Sequence, residues 1–135
     1  MRKITRQRAL SNHLGCNFED VEQRIYDTCL FDVGQSEYLV LTENGANARV
    51  KTSILDTLWT FNSDFLASHS ECADADTFRM LQEKCEDSNR SLKRLIKDLS
   101  QFVSDAILSD SRGHFLSSYD GEENEEGGFL IYRMN

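Results

Sequence analysis

The apolar positions of this chain change their period along its length, and the changes predict its elements. Near the start, Leu10 and Leu14 share a helical face, Thr5 stands where a cap is needed and Gly15 follows as a stop. That pattern predicts a short helix over 5–14. Asn17 to Glu22 is acidic and turn-like, with room for one helical turn. From Arg24 to Thr42 the period drops to two. Cys29, Phe31 and Val33 alternate along a first arm, Gly34-Gln35-Ser36 reverses the chain, and Tyr38-Leu39-Val40-Leu41 runs apolar without a break. This is a β-hairpin whose second arm, apolar on both faces, belongs inside a sheet. Phe129-Leu130-Ile131-Tyr132 is equally continuous, and is expected antiparallel beside one of those arms.

Between these strands the spacing is helical. Val50, Ile54, Leu58, Phe61 and Phe65 form one stripe, and Leu55, Trp59, Asn62 and Leu66 adjoin it. They predict a long core helix from Ala46 to Ser68, after Glu43-Asn44-Gly45 ends the hairpin. Phe78, Leu81, Cys85, Ser88, Leu92, Leu95 and Leu99 predict a second long helix, starting at Asp76 or Thr77. A last helix over 100–108 carries Phe102, Val103, Ala106 and Ile107. Trp59 and the helix phenylalanines are expected in the core. The fold these elements predict is α+β: a small antiparallel sheet of three or four strands, built from the central hairpin and the C-terminal strand, packed against three or four helices in a single domain over 1–135.

Charge adds a constraint that patterning does not. The net charge is −8, yet residues 1–8 carry four basic groups and no acid, so the rest of the chain stands at −12. Such a body repels nucleic acid and favours basic partners. The arm of Arg2, Lys3, Arg6 and Arg8 is the exception, but it holds no aromatic residue on which a base would stack, so direct nucleic-acid binding is not expected. No window approaches the roughly 18 apolar residues of a membrane span. The basic opening has no apolar run behind it, so it does not read as a secretory signal, and a cytoplasmic setting is expected. Cys16, Cys29, Cys72 and Cys85 form no Cys-x-x-Cys pair and are expected as free, mostly buried thiols.

The candidate chemistry lies mainly near the C-terminus. Asp120, Glu122, Glu123, Glu125 and Glu126 put five carboxylates within seven residues. They can present a negative surface to a basic groove, hold a hard cation, or serve as a solvated loop; the order of an EF-hand is absent. Arg112, His114 and Tyr119, beside Asp120, could serve acid–base or phosphate chemistry. The simpler account is structural, with Gly113 taking a positive φ after the helix and the ring groups bonding the reversal into the last strand. His13 with Cys16 and His69 with Cys72 repeat His-x-x-Cys, a weak zinc spacing that works only if the two helix ends meet. Nothing in the sequence calls for a cofactor.

Glu37-Tyr38-Leu39-Val40-Leu41-Thr42, Leu58-Trp59-Thr60-Phe61-Asn62-Ser63-Asp64-Phe65-Leu66 and the run from Gly113 to Glu125, closing in Ile131-Tyr132-Arg133, resemble a family of small acidic proteins encoded by bacteriophages. The C-terminal run is the most specific part; Cys72 departs from the family's pattern, which tells against a metal set that needs it. The resemblance implies a phage origin and a host-cell cytoplasm. It also implies a protein that binds and inhibits a host defence effector such as a restriction or CRISPR system. Its partner would be the basic groove of a host protein or nucleoprotein complex, engaged by Asp120, Glu122, Glu123, Glu125 and Glu126. The alternatives are a metal-dependent or hydrolytic protein using the His114, Tyr119 and carboxylate region, and a homodimer that covers an exposed helix face.

Overall fold

The structure is a computed structural model and describes residues 4–135. Arg2 and Lys3 of the basic arm lie outside the described residues. The chain forms two compact units, one reaching to Val50 and resuming at Arg112, the other spanning Lys51–Ser111. The fold is α+β, with seven α-helices and one five-stranded antiparallel sheet among the described residues.

The sheet belongs to the first unit. Helix α1 (Arg6–Leu14) begins on the Thr5 hydroxyl, which accepts from Arg8 N, and stops at Gly15 with φ 67°. Strands β1 (Glu22–Gln23), β2 (Leu30–Val33) and β3 (Ser36–Leu41) follow, then the first turns of α2 (Glu43–Asp56), and later α7 (Arg112–Leu116), β4 (Asn124–Glu126) and β5 (Phe129–Arg133). Strand order is β1-β2-β3-β5-β4. The continuous apolar arm β3 is therefore central, as its pattern requires, and β5 lies antiparallel against it with Val40 opposite Ile131 and Leu39 opposite Tyr132. Alternate side chains cover both faces. Phe31, Tyr38, Val40 and Ile131 cluster with Leu10 and Val21 on one face, while Leu39, Leu41, Leu130 and Tyr132 are buried on the other.

The helices depart from their expected lengths. Helix α2 begins at Glu43, three residues earlier than its stripe announces, because Thr42 caps it: Thr42 Oγ1 accepts from Gly45 N at 3.0 Å. The expected helix to Ser68 is three pieces: α2, whose last turns belong to the second unit, a 3-10 turn Leu58–Thr60, and α3 (Ser63–Ser68). Polar side chains occupy the backbone groups at the break. Asn89 donates to Leu55 O at 2.5 Å and accepts from Trp59 N at 3.3 Å, and Gln82 donates to Trp59 O at 3.2 Å and Phe61 O at 2.6 Å. Asn62 then caps α3 by accepting from Asp64 N and Phe65 N. Trp59, Phe61 and Phe65, all expected in the core, are half-buried, whereas Phe78 and Phe102 are buried.

The second expected long helix is likewise divided, into α4 (Ala75–Gln82), a 3-10 turn Cys85–Ser88 and α5 (Asn89–Leu95), whereas the expected last helix is present as α6 (Leu99–Asp110). Cys85 takes φ 53°, a left-handed conformation that interrupts the helical hydrogen bonds, and Asp98 restarts the chain by accepting from Gln101 N. The core of this unit includes Ile54, Leu58, Leu66, Phe78, Leu92 and Phe102. The thiols are free but not mostly buried: Cys16 and Cys29 are half-buried, and Cys72 and Cys85 are exposed.

Candidate functional site

The acidic run is part loop and part hairpin: Asp120, Glu122 and Glu123 precede the strand, and Glu125 and Glu126 lie in it. Asn124–Glu126 is β4, and Glu126 pairs with Phe129 across Gly127-Gly128, whose φ values are 58° and 85°. Two successive positive φ values in a two-residue connection are what a type I′ turn demands, and glycine supplies them without strain. A Gly-Gly between Glu126 and Phe129 was the readable signal for this turn. Strand alternation then divides the carboxylates. Glu125 pairs with Leu130 and shares its face, whereas Glu126 pairs with Phe129 and lies on the α1 face. The run is an edge with charge on both sides, not a flat acidic plate.

Its base is fixed by one cation. Arg112 Nε and Nη2 donate to the two carboxylate oxygens of Glu123 at 2.9 and 3.1 Å. Nη1 donates to Glu43 Oε1 at 2.7 Å and Asn47 Oδ1 at 2.9 Å. The buried Tyr132 hydroxyl donates to the same Oε1 of Glu123. The Arg112 side chain is 16% exposed, so these are partly desolvated, charge-assisted bonds. The Glu43 bond, with help from Glu123, raises the Arg112 pKa against the opposing effect of burial. Burial first, and Glu123 second, push the Tyr132 hydroxyl well above its ordinary value. Sequence reasoning missed Glu43 and Asn47. Their spacing of four puts both on one helical face once Thr42 is read as the cap.

Asp120 is also engaged internally. Its Oδ1 accepts from Glu122 N at 3.0 Å and from Ser117 Oγ at 2.9 Å, and these bonds, the backbone one first, hold its carboxyl below the usual range. Gly113 does not take the positive φ expected of it. That conformation falls on Ser111, at φ 77°, and Gly113 lies inside α7. Its role is close approach: a Cβ there would stand 2.3 Å from Gly121 O. Of the five carboxylates, Glu122, Glu125 and Glu126 make no ion pair or side-chain hydrogen bond with the described residues. Glu122 and Glu125 are exposed and Glu126 is half-buried.

The other candidate residues do not converge. Arg112 is committed to Glu43 and Glu123. His114 is exposed and meets Phe115 edge-on at 4.9 Å, and Tyr119 lies under the Arg133 guanidinium at 3.8 Å. No group of three or more His, Cys, Asp or Glu side chains among the described residues is arranged to hold a metal ion. His13 is exposed, and Cys16 packs beside the first unit's core cluster. His69 is a packed histidine. Its ring stands 5.1 Å from both Phe65 and Phe102, and Nε2 lies 3.2 Å from Asp105 Oδ2. Cys72 is exposed, and its amide donates to Ser70 Oγ. The cavity beside His69, about 360 Å³ and lined in part by Lys97, Glu71 and Gln101, holds no unmatched cation: Lys97 pairs with Glu71 at 2.8 Å. No helix among the described residues is long and apolar enough to cross a membrane.

No protein-family model, curated protein or solved structure matches the chain.

Proposed function

We propose that this chain is an interaction protein, phage-encoded as the sequence resemblance implies, that occupies a basic groove on a host defence effector and inhibits it in the manner of an anti-CRISPR protein. The observation that carries the reading is the set Glu122, Glu125 and Glu126: three carboxylates with no cation of their own among the described residues, the last two on an edge hairpin and Glu122 in the loop that enters it. Charge on both faces of an edge suits a groove with basic groups on both walls better than a flat patch. The Gly-Gly turn and the Arg112–Glu123–Tyr132 bonds hold the hairpin, so little order has to be gained on binding. Glu123 and Asp120 act within the chain in this reading, as supports rather than contacts.

The test compares wild-type bait with the Glu122→Lys, Glu125→Lys, Glu126→Lys variant in phage-host lysate at matched salt. A protein held by the wild type and bound at least about tenfold more weakly by the variant supports the reading. A protein held equally by both contradicts it.

A further inference from the structure

The loop between β1 and β2 puts an apolar pair into solvent. Ile25 is 100% exposed and Tyr26 78%. The residues around them are anchored on both sides. Arg24 donates to both oxygens of Asp32 at 2.9 and 2.8 Å, to Glu37 Oε2 at 2.7 Å, and to the Tyr26 hydroxyl at 2.8 Å. Asp27 accepts from Cys29 N at 2.9 Å and from Arg49 Nη2 at 2.9 and 3.2 Å. An isoleucine held in full exposure by ionic bonds on either side is an arrangement that hydrophobic burial within the chain does not explain.

We infer that Ile25 and Tyr26 are the apolar anchor of a second docking surface, whose partner is a protein offering an apolar pocket rimmed by lysine or arginine. A tyrosine pinned by its own hydroxyl loses little rotamer freedom on contact, which is what binding hot spots exploit. The basic rim follows from charge. Glu19, Asp20 and Glu22, just before the loop, are exposed and have no ion pair among the described residues, while Asp27, Asp32 and Glu37 are already matched by arginines. A second copy of this chain would set those free acids against themselves, and an anionic membrane would repel them. The inference rests on the chain being an interaction protein, but not on the acidic hairpin. The loop borders β1, at the opposite edge of the sheet from β4, four strand spacings of about 4.8 Å away.

The test is methyl and aromatic NMR on the full chain with defined probes: an amphipathic leucine–lysine peptide, a lysine-only peptide, a leucine–glutamate peptide, and vesicles of mixed neutral and anionic phospholipid. The leucine–lysine peptide is expected to shift the Ile25 δ1-methyl and the Tyr26 ring. Ile25→Ser should weaken that binding at least about tenfold with an unchanged melting temperature, because a fully exposed side chain adds nothing to the core. The Glu122→Lys, Glu125→Lys, Glu126→Lys variant should keep the response, which separates failure of this surface from failure of the acidic hairpin. An unmoved Ile25, an equal response to the lysine-only or the leucine–glutamate peptide, a response to vesicles, or one that grows with protein concentration alone would each overturn the inference.

Discussion

Replacing Arg112 with methionine keeps the length of the side chain but leaves Glu43 and Glu123 without their shared cation. Breaking a fully buried pair costs about 3–5 kcal/mol, and the 65% exposure of Glu43 lowers that expectation to about 2 kcal/mol. A fall in melting temperature of about 6–10 °C would match it. Calorimetry of Arg112→Met gives the answer, and an unchanged transition would mean that the bonds are solvated and weak. A second expectation at this scale concerns acid. Asp32, Asp74 and Asp120 are held below the ordinary aspartate value of 3.8, by Arg24, by the Thr77 amide and hydroxyl, and by the Glu122 amide with Ser117. A depressed folded-state pKa gives stability that is present above the unfolded value and lost as pH falls through the folded one. Melting temperature should therefore hold steady down to about pH 5 and fall below about pH 4. Asp74→Asn, which keeps a capping oxygen but cannot titrate, should soften that fall. An acid slope identical to wild type would show that the cap is not part of it.

At the level of elements, Gly113 joins α7 to the hairpin base. Gly113→Ala sets a methyl group against the backbone at Gly121, so chain must move, at a cost of about 1–3 kcal/mol. Thermal melting of the variant checks this, and a neutral result would mean that the α7 contact yields freely. Strands β2, β3 and β5 were legible because period two and continuous apolar runs are local signals, and β3 and β5 stand side by side as their residues predict, whereas the short polar edge strands β1 and β4 carry no such signal and were read as turn and loop. The helix ends were less so. The apolar stripe runs on through residues 57–62, yet Asn89 and Gln82, distant in sequence, take the backbone groups at the break. A stripe records which face is buried, not whether the backbone stays helical. The local caps at Thr42, Asn62 and Asp98 were available, and they carry more information about boundaries than the stripes do. In the candidate site, the five carboxylates were visible in sequence, but their division was not. Which of them a cation of the chain would neutralise depended on where Arg112 is held: it reaches Glu123, 11 positions on, while also bonded to Glu43, 69 positions back.

For the whole molecule, the excess of acid has a definite arrangement. The sheet of the first unit carries an acidic hairpin at its β4 edge and a braced apolar loop at its β1 edge. A net charge of −8 favours association with basic molecules and opposes close approach of like-charged ones. The most direct trial of the central claim is made in cells. A targeted phage is plated on hosts carrying restriction or CRISPR systems, with the wild-type chain or the Glu122→Lys, Glu125→Lys, Glu126→Lys variant expressed at equal level and equal thermal stability. The account predicts that the wild type restores plaque formation on at least one such host and that the variant does not. Restoration by both proteins alike, or by neither on any host, would contradict it.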